Sequence, residues 1–578
     1  MLRTLPARAA DSRRLLTRWD LLAILVVLGL LAFLGEASRG LLAPLTRVEA
    51  TPLSLSPAYL PEYAARTTLR MLAGLALSLL FTFTYATWAA KSPRAGRLLV
   101  PMLDVLQSVP ILGFLSATVV FFMSLAPGRV LGVELAAIFT IFTSQAWNMA
   151  FSFYQSLRTV PVELTEAARS FRLSAWARFW RLEVPFGMPG LVWNMMMSMS
   201  GGWFFITLSE AISVGHTRIM LPGMGAYIAL AIDQKNLPAI GYAILTMLVV
   251  IMIYDQLLFR PLVTWSDRFR FDLEPGVRPP TSWALTMMRR SNLLRASGRL
   301  LGRLWRAVRR PFAALIPTTP GNFRETTPDE ARRADILSYG VIAVITALAA
   351  YKAGTFLAQG FEFREVITTF KLGLLTMIRV FVLIAIASVI WVPIGVWVGL
   401  RPRAAALVQP VAQFLAAFPA NLLFPIAVIA IVRLNLNPNI WLSPLMILGT
   451  QWYILFNVIA GASTMPAELR YAARNLGLTG WLWWTRFALP AVLPFYVTGA
   501  LTASGGAWNA AIVAEIANWG TTELRAEGLG AYIADATTAG DFHQIVLGVG
   551  MMSLFVVLIN HVFWRPIYRY AERKYRLS

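Results

Sequence analysis

Long apolar stretches alternate with short charged stretches along nearly the whole chain. Examples begin at Leu21, Ile345 and Leu547, and most approach the ~20 residues that a helix needs to cross the hydrocarbon core of a bilayer. None has the two-residue alternation of a membrane β-strand. The pattern therefore predicts an all-α integral membrane protein with about twelve transmembrane helices. The predicted spans are residues 20–36, 67–90, 102–126, 132–155, 190–213, 237–259, 335–358, 372–400, 410–432, 439–461, 491–516 and 543–564.

The charged segments between these spans are rich in arginine. If successive spans alternate in direction, every basic segment falls on one side of the membrane, which is the cytoplasmic side under the positive-inside rule. This agreement supports the count of twelve and predicts that both termini are cytoplasmic. The basic segments are residues 1–20, 91–97, 158–181, 266–334, 401–403 and 565–576.

Composition supports the membrane class. Of the 578 residues, 57% are hydrophobic and only 14% are charged, which is too apolar for a soluble globular protein. The net charge of +22 follows from the one-sided arginines, so it does not indicate nucleic-acid binding. Because the chain has no cysteine, disulfides and thiolate metal sites are excluded. No small-residue cleavage site follows the first apolar run, and we predict an uncleaved first span.

The chain contains an internal repeat. The segment PGMGAYIA at 222–229 returns as EGLGAYIA at 527–534, a shift of 305 residues, and Arg70 matches Arg379 at a shift of 309. Each half has an even number of predicted spans, so both halves have the same orientation. The fold is therefore predicted as two tandem six-helix repeats in a parallel pseudo-two-fold arrangement, with a pathway between them.

Three regions follow from the repeat: a first membrane domain at 1–270, a linker at 271–334 and a second membrane domain at 335–578. Within the linker, residues 281–312 contain eight arginines and no acidic residue, with apolar side chains at helical spacing. This favours an amphipathic helix on the anionic lipid surface of the cytoplasmic leaflet. A solvated basic linker is the alternative, and nucleic acid is not an expected partner.

Two short charged segments, ELTEAARSF at 163–171 and ELRYAARNL at 468–476, occupy equivalent positions in the repeat. Each is too polar to span a membrane but has helical patterning, and a second helix rich in aromatics follows it. The small alanines would let a partner surface approach closely, and the charged residues would fix its register; local packing on the membrane domain is the alternative. The candidate coupling residues are Glu163, Glu166, Ala167, Ala168, Arg169, Glu468, Ala472, Ala473, Arg474 and Gly477.

These segments resemble the cytoplasmic loop of permease subunits of ATP-binding-cassette importers, with the pattern EAA, three residues, Gly, nine residues, Ile, one residue, Leu-Pro. In the first half, 166–168 matches, but Arg172 stands at the glycine position and Val184-Pro185 replaces Leu-Pro. In the second half, Tyr471 replaces the glutamate, whereas Gly477 and 489–490 match. The Gly-x-Gly-Ala-Tyr-Ile segments look like the nitrate, taurine and sulfonate branch of that family.

The resemblance implies a type I importer fold and a role as the fused permease subunit, with the loops seated on two nucleotide-binding subunits of a separate ATPase. ATP and magnesium would then bind that ATPase, so this chain needs no cofactor. A periplasmic or extracellular solute-binding protein is also implied, as are the bacterial inner membrane and a small anionic solute such as nitrate, sulfonate or bicarbonate.

Motifs for catalysis are not evident. None of the five lysines lies in a Gly-Lys-Ser/Thr loop that would cradle phosphates, and the three histidines are separated in sequence. We therefore expect no metal site and no enzyme activity in this chain.

Polar residues inside predicted spans are candidates for the pathway or its gate, because burying them in lipid is costly. For Glu210 and Glu515 the alternatives are a place at the outer membrane boundary or a structural pair with an arginine. For the amides, hydrogen bonds between helices are the alternative. Pro110 and Pro419 are expected to break their spans. The candidates are Gln145, Asn148, Trp203, Glu210, Gln451, Trp508, Asn509 and Glu515.

Two other functions fit parts of the pattern. A secondary transporter driven by an ion gradient would use Glu210 and Glu515 for proton coupling, although the duplicated loop argues against it. A membrane scaffold would bind an ATPase without moving solute, and the paired polar residues in the spans argue against that function.

Overall fold

The computed structural model describes residues 53–214, 217–269, 282–291 and 363–575, with isolated positions between 303 and 355. The predicted spans at 20–36 and, apart from isolated positions, 335–358 lie outside the described residues. So does most of the predicted basic helix, of which one segment, Trp283–Arg290, is described and is helical. The three predicted regions stay a prediction.

The first half is built from helices and one β-hairpin. Its elements are α1 Leu60–Phe81, α2 Thr87–Lys91, α3 Pro93–Ser108, α4 Leu115–Leu125, α5 Val130–Arg158, α6 Val162–Ser170, α7 Ala175–Arg178, α8 Val184–Ser209, β1 Ala211–Val214, β2 Thr217–Met220, α9 Met224–Asp233, α10 Leu237–Tyr254, α11 Arg260–Ser266 and, in the linker, α12 Trp283–Arg290. Short 3₁₀ turns lie at Pro57–Tyr59, Leu112–Phe114 and Asp267–Phe269, and π-helical turns at Thr82–Ala86, Phe179–Glu183 and Asp255–Phe259.

The second half repeats this order. Its elements are α13 Phe363–Gly399, α14 Pro402–Ala417, α15 Phe424–Arg433, α16 Pro438–Trp441, α17 Gln451–Ser463, α18 Ala467–Asn475, α19 Gly480–Trp483, α20 Leu489–Ala514, β3 Ile516–Trp519, β4 Thr522–Arg525, α21 Leu529–Ala539, α22 Phe542–Ile559 and α23 Arg565–Tyr575. Its 3₁₀ turns are Ala420–Leu423 and Ser443–Met446, and its π-helical turns are Trp484–Ala488 and Asn560–Trp564.

Six described helices are long and apolar enough to cross a membrane, and the number rises to eight if each of two bent helix pairs counts as one span. One bent pair is α14 with the segment 420–433, where the axis turns by 77°. The bend follows from Pro419, because a residue before proline avoids the helical region, and Phe418 is extended with ψ 130°. Val109 before Pro110 is extended in the same way, so the predicted breaks are confirmed.

Two antiparallel β-hairpins were not predicted. The strands are only four residues long, with Ala211 opposite Met220 and Ile516 opposite Arg525. Such strands are too short to produce a readable alternation. Gly520 opens the second turn with φ +57°, a conformation that glycine adopts without steric cost.

The described residues divide into two compact units. The smaller contains 159–192, 253–269 and 282–291. The larger contains 53–158, 193–252 and the second half, so it includes spans from both repeats. Its core is apolar and closely packed; for example, a side chain on Gly113 would collide with Val549 of the other half.

Candidate functional site

The two predicted loop helices are present as α6 and α18, each nine residues long and each preceded by a proline. Both end in a left-handed residue at the motif's glycine position, Arg172 with φ +49° and Gly477 with φ +65°. The following N–H groups close the helix ends, Leu173 on Ala168 O at 3.1 Å and Leu478 on Ala473 O at 3.0 Å. The glycine of the motif is therefore a helix C-cap, and Arg172 occupies it at a steric cost.

The alanine pairs divide their roles. Ala168 and Ala473 are buried and are not available to a partner, whereas Ala167 and Ala472 are exposed. This corrects the expectation that both alanines of a pair face a partner. The remaining coupling residues are exposed: Glu163, Glu166, Arg169, Glu468, Arg474 and Gly477.

Each loop also presents large apolar side chains to solvent. Phe171 is 79% exposed and Leu476, its equivalent in the repeat, is 75% exposed; Tyr471 and Trp481 are exposed as well. Among the described residues, no ion pair engages the charged side chains of α6 or α18. A surface with small residues, unpaired charges of both signs and exposed aromatics is typical of a protein interface.

Glu210 lies in a buried polar cluster at the end of α8. Its Oε1 accepts hydrogen bonds from Thr67 Oγ1 at 2.7 Å and from Arg70 Nη1 at 2.6 Å, and its Oε2 accepts from Gly225 N at 2.7 Å. Thr67 Oγ1 in turn accepts from Met224 N at 2.9 Å. The cluster therefore fastens the start of α9 to α1.

A second carboxylate completes this cluster. Glu134 on α5 holds Arg70 through two contacts, to Nε at 2.6 Å and to Nη2 at 2.7 Å. Arg70 is only 4% exposed and Glu210 is fully buried, so the ion pairs are shielded from solvent. One guanidinium thus lies between two carboxylates, and the formal charge of the cluster is negative.

Glu515 makes the equivalent contacts in the second half. It accepts hydrogen bonds from Thr376 Oγ1 at 2.8 Å, Arg379 Nη1 at 3.1 Å and Ala531 N at 3.0 Å. Here Asn439 stands where the 305-residue shift places Glu134, and its Oδ1 lies 3.3 Å from Arg379 Nη2. The arginine pairing given above as an alternative is therefore present in both halves, with one carboxylate fewer in the second.

The aromatic and amide candidates are placed in helix packing. Trp203 and Trp508 are both buried, and Trp508 stacks on Phe555 with ring centroids 6.0 Å apart. Gln145 is fully buried beside Gly202, its Nε2 3.2 Å from Met199 Sδ. Two further amides also bond within the protein, Asn148 to Ser198 at 3.0 Å and Gln451 to Trp391 at 2.9 Å.

Asn509 is different, because it joins the two halves. Its Oδ1 accepts a hydrogen bond at 2.7 Å from Ile111 N, directly after the Pro110 break. The reciprocal contact uses a residue not predicted from the sequence: Asn421, two residues after Pro419, donates to Thr207 Oγ1 at 2.6 Å. The segment after each broken span therefore contacts the long helix before the β-hairpin of the other half, α20 for the first segment and α8 for the second.

A further unpredicted contact between the halves is made by Ser200, whose hydroxyl donates to Ala416 O. The shared signal for these residues is proximity to a proline break or to the Gly201-Gly202 pair. Within the described residues, no group of three or more histidine, aspartate or glutamate side chains is arranged to hold a metal ion.

Comparisons with known proteins agree with this duplicated arrangement. The family of binding-protein-dependent transport system inner membrane components matches twice, at residues 82–265 and 391–576. The bicarbonate transport system permease protein CmpB of Synechococcus elongatus is 30% identical over 181 residues, 31% of this chain and 62% of that protein. The nitrate import permease protein NrtB of Leptolyngbya laminosa is 26% identical over 182 residues, 32% of this chain and 62% of that protein.

Another relative is the glycine betaine/proline betaine transport system permease protein ProW of Escherichia coli, 27% identical over 139 residues, 24% of this chain and 37% of that protein. The chain spans less than two thirds of the length of each of these relatives. The family model, in contrast, covers most of both halves. The chain is therefore a multi-pass membrane protein that belongs to the family of binding-protein-dependent transport system inner membrane components, with one copy of the domain in each half.

Proposed function

We propose that this chain is the permease subunit of an ATP-driven importer, with two pathway-forming domains fused in one polypeptide. The observation that carries the proposal is the duplicated, exposed loop helix: α6 and α18 have the same length, the same closing turn and no ion pairs among the described residues. Such a surface needs a partner. Because the chain has no phosphate-binding loop of its own, that partner supplies ATP hydrolysis.

In the proposed cycle, two nucleotide-binding subunits that hold ATP and magnesium close on each other and move the loops. The contacts between the halves at Asn509 and Asn421 then break and re-form as the pathway opens to alternate sides. A solute-binding protein would deliver the solute on the side opposite the ATPase. The inner membrane as location, with cytoplasmic termini, is part of this proposal.

The names of the relatives support a small anion as the solute, bicarbonate or nitrate before sulfonate. A carboxylate would repel such an anion, and Glu210 and Glu515 are already engaged by arginines. We therefore assign these two glutamates to holding α9 and α21 in place, and we assign direct contact with the solute to other groups.

The test is co-purification with candidate ATPase subunits, followed by ATPase activity in liposomes. The double variant Glu163→Arg and Glu468→Arg should lose association because it reverses charge on both loop surfaces. Glu523→Arg, an exposed reversal on β4, should keep it. Association that survives the double change would refute the loop assignment. Uptake that follows a proton or sodium gradient without any ATPase would support a secondary transporter instead, and ATPase association without uptake would support a scaffold.

A further inference from the structure

The two arginine clusters differ at one edge of the guanidinium. In the first half, the edge formed by Nε and Nη2 of Arg70 is covered by both oxygens of Glu134, at 2.6 and 2.7 Å. In the second half, the corresponding residue is the neutral Asn439. Its Oδ1 reaches only Nη2 of Arg379, at 3.3 Å, and also accepts from Glu527 N at 2.8 Å.

An inventory of donors shows that this edge of Arg379 is open at Nε. Its Nη1 donates to Glu515 at 3.1 Å and to Glu527 O at 2.6 Å, and its Nη2 donates to Asn439. Within the part of the chain that the structure describes, Nε has no acceptor. Arg379 is 14% exposed against 4% for Arg70, so the open edge is also the more accessible one.

We propose that the Nε/Nη2 edge of Arg379, together with Asn439, binds a trigonal-planar oxyanion in the position that the Glu134 carboxylate takes in the first half. A guanidinium edge presents two parallel N–H groups, which match two oxygens of one planar anion. Nitrate and bicarbonate have the same planar arrangement of oxygens as a carboxylate. In the first half, the Glu134 carboxylate on Arg70 thus shows the geometry that we expect for the bound anion on Arg379.

Charge supports the same ligand. The first cluster contains one arginine and two carboxylates, whereas the second has one arginine and one carboxylate. One bound anion would bring the second cluster to the charge of the first. Glu527, whose main-chain groups contact Arg379 and Asn439, has an exposed carboxylate that would weaken anion binding. Weaker binding suits a site that must also release its solute.

Location gives the site its role. Glu515 lies directly after the last residue of α20, whereas the loop helix α18 precedes the first residue of α20 in the chain. Because α20 has 26 residues, it spans about 39 Å. The open edge is therefore at the far end of the helix from the coupling segment, where an imported solute would arrive. This inference rests on the proposed function and narrows its substrate class to planar oxyanions.

The test uses two variants at one position. Asn439→Glu would fill the edge with an internal carboxylate, as in the first half, and should not harm folding; Asn439→Gln has nearly the same shape without the charge. Nitrate affinity of the full-length chain in detergent is measured by thermal unfolding in sodium nitrate against sodium chloride at equal ionic strength. We expect Asn439→Glu to lower nitrate affinity at least tenfold and Asn439→Gln to change it less than threefold.

Two results would overturn the site: nitrate affinity unchanged in Asn439→Glu, or equal stabilisation of wild type by chloride and nitrate. Uptake into liposomes with the ATPase separates the site from the proposed function. If nitrate and bicarbonate enter equally well with wild type and Asn439→Glu, the permease function stands and the site is wrong. If nitrate binds as expected but ATP drives no uptake, the site stands and the importer function is wrong.

Discussion

Removing one carboxylate should damage the two halves unequally. Glu210→Gln and Glu515→Gln remove the same acceptor. In each glutamate Oε1 accepts from a threonine and an arginine and Oε2 accepts from a main-chain N–H, and glutamine keeps only one acceptor oxygen. After Glu210→Gln, Arg70 still has both oxygens of Glu134. After Glu515→Gln, Arg379 has no carboxylate partner among the described residues.

The magnitude follows from this difference. The loss of an acceptor for the main-chain N–H costs about 1–3 kcal/mol in either variant and cancels in the comparison. Leaving one member of a buried ion pair uncompensated costs about 3–5 kcal/mol, which we reduce to about 2 kcal/mol because Arg379 is 14% exposed and keeps the Glu527 carbonyl at 2.6 Å. Glu515→Gln should therefore be less stable than Glu210→Gln by about 2 kcal/mol.

Tryptophan fluorescence during heating in detergent measures the difference, in a buffer without nitrate or bicarbonate. We expect Glu515→Gln to unfold about 2–5 °C below Glu210→Gln. Glu523→Gln, an exposed change in β4, should unfold with wild type and controls for loss of charge alone. Equal melting temperatures for the two buried variants, or a lower one for Glu210→Gln, would refute the claim that only Arg379 loses its last carboxylate partner.

Three other changes test separate features. Arg172→Gly should stabilise the first loop helix by about 0.5–1 kcal/mol and Gly477→Arg should destabilise the second by about 1–2 kcal/mol, both read as amide hydrogen exchange of the loops; unchanged exchange would contradict the C-cap assignment. Gly528→Ala should cost about 1–3 kcal/mol, because its Cβ would collide with the carboxylate of Glu515, and a melting temperature equal to wild type would contradict this packing. Asn509→Ala should raise basal ATPase activity of the reconstituted complex about two- to fivefold by removing about 1 kcal/mol from the contact between the halves, and an unaltered rate would argue that this contact does not hold the resting state.

The internal sequence repeat predicted much of this architecture. The match of the 222–229 and 527–534 segments identified two halves, and Pro110 and Pro419 marked the broken spans correctly. These signals are local in sequence, and proline has the same effect on a helix in any surroundings. The loop helices were predicted for the same reason, since the charged residues, the small residues and the glycine position of the motif, occupied by Arg172 in the first loop, all lie within twelve positions.

Contacts between distant residues were not accessible in this way. Glu134 was not considered as a partner of Arg70, because nothing local shows that residues 64 positions apart meet. The burial of Ala168 and Ala473 also depends on the residues beneath their helices, which the local sequence does not show. The sequence therefore predicts the same role for both alanines of a pair. Asn421 was missed because an isolated amide after a proline break has no sequence signature of its own.

The fusion of the two domains has an evolutionary consequence that the arginine clusters make visible. A permease assembled from two identical chains must carry every substitution twice, so its clusters would both hold a glutamate or both hold an asparagine at this position. A single gene that encodes both copies can mutate one and preserve the other. Glu134 and Asn439 are such a difference between the copies: the arginine of the first copy lies between two carboxylates, whereas, among the described residues, the arginine of the second has one carboxylate partner and an open Nε.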